Sequence, residues 1–152
     1  MPSTQLLMLQ SSAFENNQSI PSRFTCDGAN VSPSLHIANA PPKTQAFALI
    51  VEDPDAPRGT FTHWLLWNIP ADTQTIAEGK PPASAMEGLN DFRQMGYGGP
   101  CPPSGTHHYR FKLYAVDSEI NLPQGADVKA LERAIRPHVL AESILVGTYH
   151  RK

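Results

Sequence analysis

The stretch "AFALIVEDPDAPRGTFTHWLLWNIP", residues 46–70, decides the fold. It opens with "AFALIV", apolar at every position, and a strand with no polar face suits the centre of a sheet covered on both sides. The chain then passes through "DPDAPRGT", whose Asp, Pro and Gly residues favour turns. It returns in a second run, 63–69, rich in the aromatic and branched residues that strands prefer. Read as antiparallel neighbours, the two runs place Asp53 and His63 at the same end of the sheet.

Working outward, further strand-like runs lie at 6–9, 109–116 and 143–149, separated by Pro, Gly, Asn and Asp clusters. In the run from Tyr109, Phe111, Leu113 and Ala115 alternate with Arg110, Lys112 and Tyr114, the pattern of a half-buried strand. A helix is predicted after Asp127, a good N-cap, with Val128, Leu131 and Ile135 on one face. Pro137 interrupts it, and a second short turn through Val139 and Leu140 is expected to follow. Strands first and helices late predict a single β-rich α+β domain over residues 1–152. Its expected architecture is two packed antiparallel sheets, a β-sandwich, with one or two peripheral C-terminal helices. The chain is too short for a TIM barrel and lacks the crossover helices of a doubly wound sheet.

A chain of 152 residues buries about two-thirds of the surface that it exposes when unfolded, so no metal or disulfide is required for folding. Its 15 prolines are about twice ordinary usage, but they fall between apolar runs and so read as loop punctuation. A formal net charge of −2 and no Lys/Arg cluster argue against nucleic acid and anionic membrane surfaces as partners. The start, "MPSTQLLMLQ", has neither a basic opening nor an apolar run of signal-peptide length, and a cytoplasmic location is expected. In that compartment Cys26 and Cys101, too few and too far apart for a disulfide framework or a zinc signature, default to free thiols. A redox pair is the alternative.

Side chains alternate along a strand, so positions of equal parity share a face. Asp53 continues the face of Phe47, Leu49 and Val51; His63 begins that of Leu65 and Trp67; His107 begins that of Tyr109 and Phe111. A carboxylate beside two imidazoles would favour their protonated form, and imidazolium with backbone N–H groups would attract phosphate or carboxylate. The Gly98-Gly99 and Ser104-Gly105 turns are candidate N–H donors, and Tyr97 and Tyr109 candidate hydroxyl donors. Asp55 is expected to cap backbone N–H groups of its own turn, and His108 to lie on the face opposite His107. No nucleophile elbow, metalloprotease motif, P-loop or dinucleotide fingerprint occurs. No catalytic residue, metal or cofactor is therefore expected, and a hydrolase using His107 or an activated Cys101 thiol is the weaker alternative.

Two segments carry a family resemblance: "DPDAPRGTFTHWLLWNIP" (53–70) and "GYGGPCPPSGTHHYRFKLYAVD" (96–117). They resemble the two signature regions of the phosphatidylethanolamine-binding protein family, also called Raf kinase inhibitor proteins. The upstream "IPSRFTCDGANVSPSL" (20–35) and the late "HVLAESILVGTYHR" (138–151) are similar to its bacterial and archaeal branch. The resemblance implies two antiparallel sheets with a small anion pocket at one end. The pocket pattern falls on Asp53, His63, Pro102, His107 and Tyr109, flanked by Tyr97 and Cys101. It implies a non-catalytic role in binding phosphate-like or phosphoethanolamine groups. Inhibition of a kinase or protease partner through the surrounding loops is the alternative, and a homodimer is open because bacterial relatives often pair. Where the family usually has Trp, this chain has Ile37, and Ser34 replaces a Pro, changes expected to alter packing beneath the pocket.

Overall fold

The computed structural model describes residues 6–151. Among them are nine strands: β1 (Met8–Gln10), β2 (Gln18–Ser19), β3 (Leu35–Ala38), β4 (Ala46–Asp53), β5 (Phe61–Pro70), β6 (Thr75–Ile76), β7 (Met86–Glu87), β8 (His107–Val116) and β9 (Val139–Tyr149). One α-helix, α1 (Val128–Ile135), precedes β9. The strands form a three-stranded sheet, β1-β3-β6, and a six-stranded sheet, β2-β9-β8-β4-β5-β7. This is the β-rich α+β architecture expected, with one parallel contact, the short pairing of β2 with the end of β9.

β4 is buried at every position and has strands on both edges, β5 and β8, each antiparallel to it. Its two faces feed two cores. Phe47, Leu49 and Val51 join Leu9, Leu35, Ile37 and Ile76 from the smaller sheet, together with Trp64, Phe111 and Leu113, to fill the space between the sheets. Ala46, Ala48 and Ile50 face the other way, where Leu65, Trp67 and Val116 are covered by Leu131 and Ile135 of α1. The apolar-everywhere sequence of this strand thus has a direct cause: one face meets a sheet and the other meets a helix. Burying a side chain such as Leu131 contributes roughly 1.5–3 kcal/mol, which is what holds α1 on the sheet.

Asp127 caps α1 as expected, its carboxylate accepting the Ala130 N–H at 2.9 Å. The helix then ends differently from the sequence expectation. Arg136–His138 form a tight 3-10 turn containing Pro137. The backbone is extended again at Val139, which pairs with Val116. Val139 and Leu140 therefore begin β9 instead of forming a second helical turn. The long ladder to β8 pairs Val139 with Val116 and Ala141 with Ala115, Leu140 being the extra residue at a register shift, and a short turn after proline cannot supply those backbone partners. β2, β3, β6 and β7 had no sequence signal, because strands of two to four residues are too short to display alternation.

Ile37 packs in the inter-sheet core on β3 and flanks, with Phe47, a cleft at the start of β4. The pocket residues lie at the other end of that strand, beyond Val51. The Ile37 substitution accordingly alters packing at the end of the sandwich remote from the pocket, contrary to the expectation above. Asp127→Ala should lower stability by about 1 kcal/mol, because one helix N–H loses its acceptor. Urea unfolding followed by far-UV circular dichroism would measure it, and an unchanged midpoint would count against the cap.

Candidate functional site

At the C-terminal end of β4, Asp53 stands opposite Phe61 of β5 and next to the start of β8. Its carboxylate is tied down twice. Oδ1 accepts the Asp55 N–H at 2.8 Å, and Oδ2 accepts from Nδ1 of His107 at 2.6 Å. Asp53 is 3% and His107 6% exposed, so this is a buried carboxylate–imidazole pair. Holding Nδ1–H on a carboxylate fixes the orientation of the His107 ring and leaves Nε2 without a protein partner among the described residues.

His63 arrives by a route that parity did not foresee. The β4–β5 register steps from Val51↔Trp64 to Glu52↔Thr62, so His63 is the extra residue of a bulge. Leu65 and Trp67 face α1, whereas His63 lies against Tyr109 with ring centroids 5.2 Å apart. The expectation that His63 shares the face of Leu65 and Trp67 is thus corrected. The bulge is what turns it towards Asp53 and His107. Its Nδ1–H donates to the Gly98 carbonyl at 2.6 Å, and the Gly98 N–H donates back to the His63 carbonyl at 3.0 Å. Burial among Phe61, Phe92 and Tyr109 lowers its pKa below the ordinary imidazole range, and this outweighs the upward pull of the Gly98 carbonyl. His63 is therefore a neutral ring with Nε2 as an acceptor, not the imidazolium expected from its neighbourhood with Asp53.

The remaining walls come from two loops. Asn90 organises residues 90–96: its side-chain amide donates to the Gly96 carbonyl, and its oxygen accepts the N–H groups of Phe92 and Gln94. Asp91 locks this loop to β5 by accepting the Thr62 N–H at 2.7 Å. Phe92 is thereby laid edge-on to both His63 and Phe61. Gly98 has to be glycine for this, since a Cβ there would lie 2.4 Å from the Phe92 ring. Asp53, Ala56, Pro57, Phe61, His63, Phe92, Cys101, Pro102, Pro103, His107 and Tyr109 enclose a cavity of about 180 Å³. Phe61, Phe92, Ala56 and Pro57 had not been singled out in the sequence. An aromatic in a Gly/Asp-rich loop gives no periodic signal, and only the Asn90 and Asp91 ties bring Phe92 over the histidines.

Several expected donors are taken up by the scaffold. The Tyr97 hydroxyl donates to the Phe24 carbonyl at 2.6 Å while its ring meets Trp64 edge-on, so Tyr97 braces the loop and does not line the cavity. Gly99 N–H donates to Asn30 Oδ1, and with the Gly98 N–H on His63 neither glycine has an amide free for an anion. Ser104 and Gly105 are exposed and outside the lining. Tyr109 differs: it lines the cavity, and its buried hydroxyl has no hydrogen-bond partner among the described residues. Burial first, then the negative charge of Asp53, raises its pKa well above the ordinary phenol value, so the hydroxyl stays protonated. Asp55 does not cap its own turn; its Oδ2 accepts both the backbone N–H and Nδ1–H of the exposed His108, each at 2.8 Å. His108 points away from the pocket side of β8, as parity requires.

Cys26 and Cys101 form a disulfide, with Cα atoms 5.4 Å apart. The expectation of free thiols is overturned, and with it the activated thiol at Cys101. The physical reason is tertiary. Hydrogen bonds Tyr97 to Phe24, Gly99 to Asn30 and Cys26 to Pro100 zip segments 24–30 and 97–100 side by side, although the cysteines are 75 residues apart in sequence. No helix is long and apolar enough to cross a membrane, and no cluster of three or more metal-ligating side chains occurs, among the described residues.

The lowered pKa of His63 has a consequence for stability. The unfolded chain takes up a proton near pH ~6.5 while the folded chain resists it, so stability is complete above that value and falls as the pH drops towards the lowered folded pKa. Thermal midpoints measured from pH 7.5 down to 5 should decline less steeply in His63→Gln than in the wild type. Equal slopes would show that His63 is not the buried neutral group described.

Comparison with known proteins gives one consistent answer. The model of the phosphatidylethanolamine-binding protein family matches residues 10–150. A UPF0098 protein of Pyrococcus horikoshii is 48% identical over 151 residues, covering 93% of this chain and 76% of that one. A UPF0098 protein of Methanothermobacter thermautotrophicus is 44% identical, covering 94% of this chain and 98% of that one. A Mycobacterium tuberculosis protein provisionally named a lipoprotein is 38% identical, covering 97% and 74%. Among solved structures, a phosphatidylethanolamine-binding protein homologue from Chlamydia trachomatis superposes with a TM-score of 0.93 at 34% identity, covering 99% of this chain and all of that one. YbcL of E. coli, described as a member of the mammalian family, superposes at 0.91 with 29% identity, covering 97% of this chain and all of that one. With the family model spanning nearly the whole chain and the same fold in these relatives, this chain belongs to the phosphatidylethanolamine-binding protein family.

Proposed function

We propose that the chain is a non-catalytic binding protein whose cavity accepts one small phosphate-like group, such as a phosphate monoester or the phosphoethanolamine headgroup. The observation that carries this reading is the buried Asp53–His107 pair in the wall of a cavity of about 180 Å³. That volume is below the ~300–1,000 Å³ of sites for drug-sized ligands, so a headgroup fits and the body of a lipid does not. Asp53 holds the Nδ1 edge of His107, and the Nε2 edge of that ring is the contact for the anion. Tyr109 offers its unpartnered hydroxyl as a second donor. Neutral His63 contributes an acceptor, which suits a ligand that carries a proton of its own, on a phosphate oxygen or an ammonium. Cys101, within the disulfide, and Pro102 supply apolar wall.

One observation favours a second reading, in which the phosphate belongs to a protein partner such as a kinase or protease target. Leu89, Phe92 and Met95, all in the loop that covers the histidines, are exposed apolar side chains. As to compartment, the Cys26–Cys101 bond favours an oxidising one over the reducing cytoplasm expected from the N-terminus. The intracellular disulfides of hyperthermophiles are the exception.

Calorimetric titration with phosphoethanolamine, inorganic phosphate and a phosphotyrosine peptide tests both readings. Asp53→Asn and His107→Gln should each weaken binding by about tenfold or more, since each leaves a buried polar partner unpaired. Tyr97→Phe should leave affinity unchanged. Tighter binding of the peptide than of the free headgroup would select the protein-partner reading, and unaltered affinity in His107→Gln would sink the pocket.

A further inference from the structure

The disulfide is also part of the pocket. Cys101 lines the cavity and is followed in its wall by Pro102 and Pro103. Between Cys101 and His107, residues 102–106 form no hydrogen bond to the rest of the chain among the described residues. Pro102 and Pro103 have no N–H to offer, and Ser104, Gly105 and Thr106 are exposed. The hydrogen bonds that zip the two loops together all lie before Cys101, at Tyr97, Gly99 and Pro100. Apart from the packing of the buried Pro102 ring, this wall segment is therefore held only at its two ends, by the covalent bond at Cys101 and by the start of β8 at His107. Both cysteines are partly exposed, so a reductant can reach them.

We propose that the Cys26–Cys101 bond is a positioning element of the binding pocket, holding the Pro102–Pro103 wall against His107, so that ligand affinity follows the redox state of this pair. The ligand half of this inference rests on the phosphate-pocket reading; the wall half does not. The switching step is thiol–disulfide exchange with a dithiol. The dithiol gives two electrons and two protons, the S–S bond breaks to two thiols, and the dithiol becomes its own disulfide. Reduction frees Cys101, and the wall between it and His107 then samples more conformations, an ordering cost that the ligand must meet on binding.

The experiment uses the full chain, oxidised, reduced with dithiothreitol, and as the Cys26→Ser/Cys101→Ser double variant. Backbone amide relaxation and the ring signals of His63 and His107 are followed by NMR, and phosphoethanolamine is titrated into each form. Reduction should lower the backbone order parameters of Ser104, Gly105 and Thr106, move the His107 ring signals, and weaken phosphoethanolamine binding by about tenfold or more, with far-UV circular dichroism unchanged. Tyr97→Phe, which cuts a non-covalent tie between the same two loops, should lower stability and leave affinity alone. That contrast separates positioning from general support. Identical wall signals and affinity in the oxidised and reduced forms would overturn the inference while leaving the pocket reading intact. Changed wall signals in a protein that binds no phosphoethanolamine in either form would uphold the positioning role and remove the pocket reading. A loss of binding that only accompanies global unfolding, in the reduced wild type or the double variant, would also overturn it.

Discussion

The double-sided burial of β4 is the constraint on which the rest of the molecule depends. Because one of its faces packs on the small sheet and the other on α1, odd and even positions are committed to different cores from Phe47 to Val51. That commitment carries on past the apolar residues. Glu52 emerges on the helix side and is met by Arg110 and Lys112 of β8, with Lys112 Nζ at 3.0 Å. Asp53 emerges on the sandwich side, at the mouth, and is met by His107. Two adjacent carboxylates, both nearly buried, thus have different partners and different roles because a side chain's face alternates at every residue. A one-residue slip of this strand would exchange them and would place a carboxylate among the aromatic rings of the core.

The site depends on departures from regularity at the end of that strand. The bulge at His63 puts two consecutive residues of β5, His63 and Trp64, on the same side of the sheet, where an unbroken strand would send one to the helix face. The reciprocal pair of hydrogen bonds between His63 and Gly98 then holds the ring and the loop in one register. Close approach of backbone to side chain explains the glycines here. Gly98 admits the Phe92 ring, and Gly99 lies where a Cβ would be 2.2 Å from the Phe24 carbonyl oxygen. In this way the histidines differ in environment: His107 is set against a carboxylate, and His63 against a carbonyl within an aromatic cage. The cavity wall thus combines one imidazole paired with a carboxylate and one imidazole held by a backbone carbonyl among aromatic rings.

Much of this was legible in the chain. The apolar run of β4, the turn chemistry of "DPDAPRGT", the alternation in β8 and the Asp127 cap all express local rules, and the structure follows them. Asp53 and His63 could be named together because two antiparallel strands joined by a short loop return to the same end, whereas His107 joins them only on the condition that a third strand starts there, as β8 does. The path to His63 was misread, since register shifts leave no trace in composition. Asp55 was misassigned because a carboxylate near a turn has several backbone and side-chain suitors, and His108 comes from a strand 53 residues away. Val139 and Leu140 join β9 because the ladder partners on either side of Leu140, Val116 for Val139 and Ala115 for Ala141, lie on a strand that precedes the helix.

The sequence by itself determined the fold class, the central strand and the identity of the ionisable groups at its end, because hydrophobic periodicity and turn propensity act over a few residues. Tertiary structure alone decided how those groups behave. It joined Cys26 to Cys101, took the Tyr97 hydroxyl and the glycine amides for bracing, bulged His63 into the pocket and kept it neutral, and left the Tyr109 hydroxyl without a partner among the described residues. Each of those outcomes depends on which distant segment is packed within a few ångströms, and desolvation, hydrogen bonding and covalent closure act only at that range.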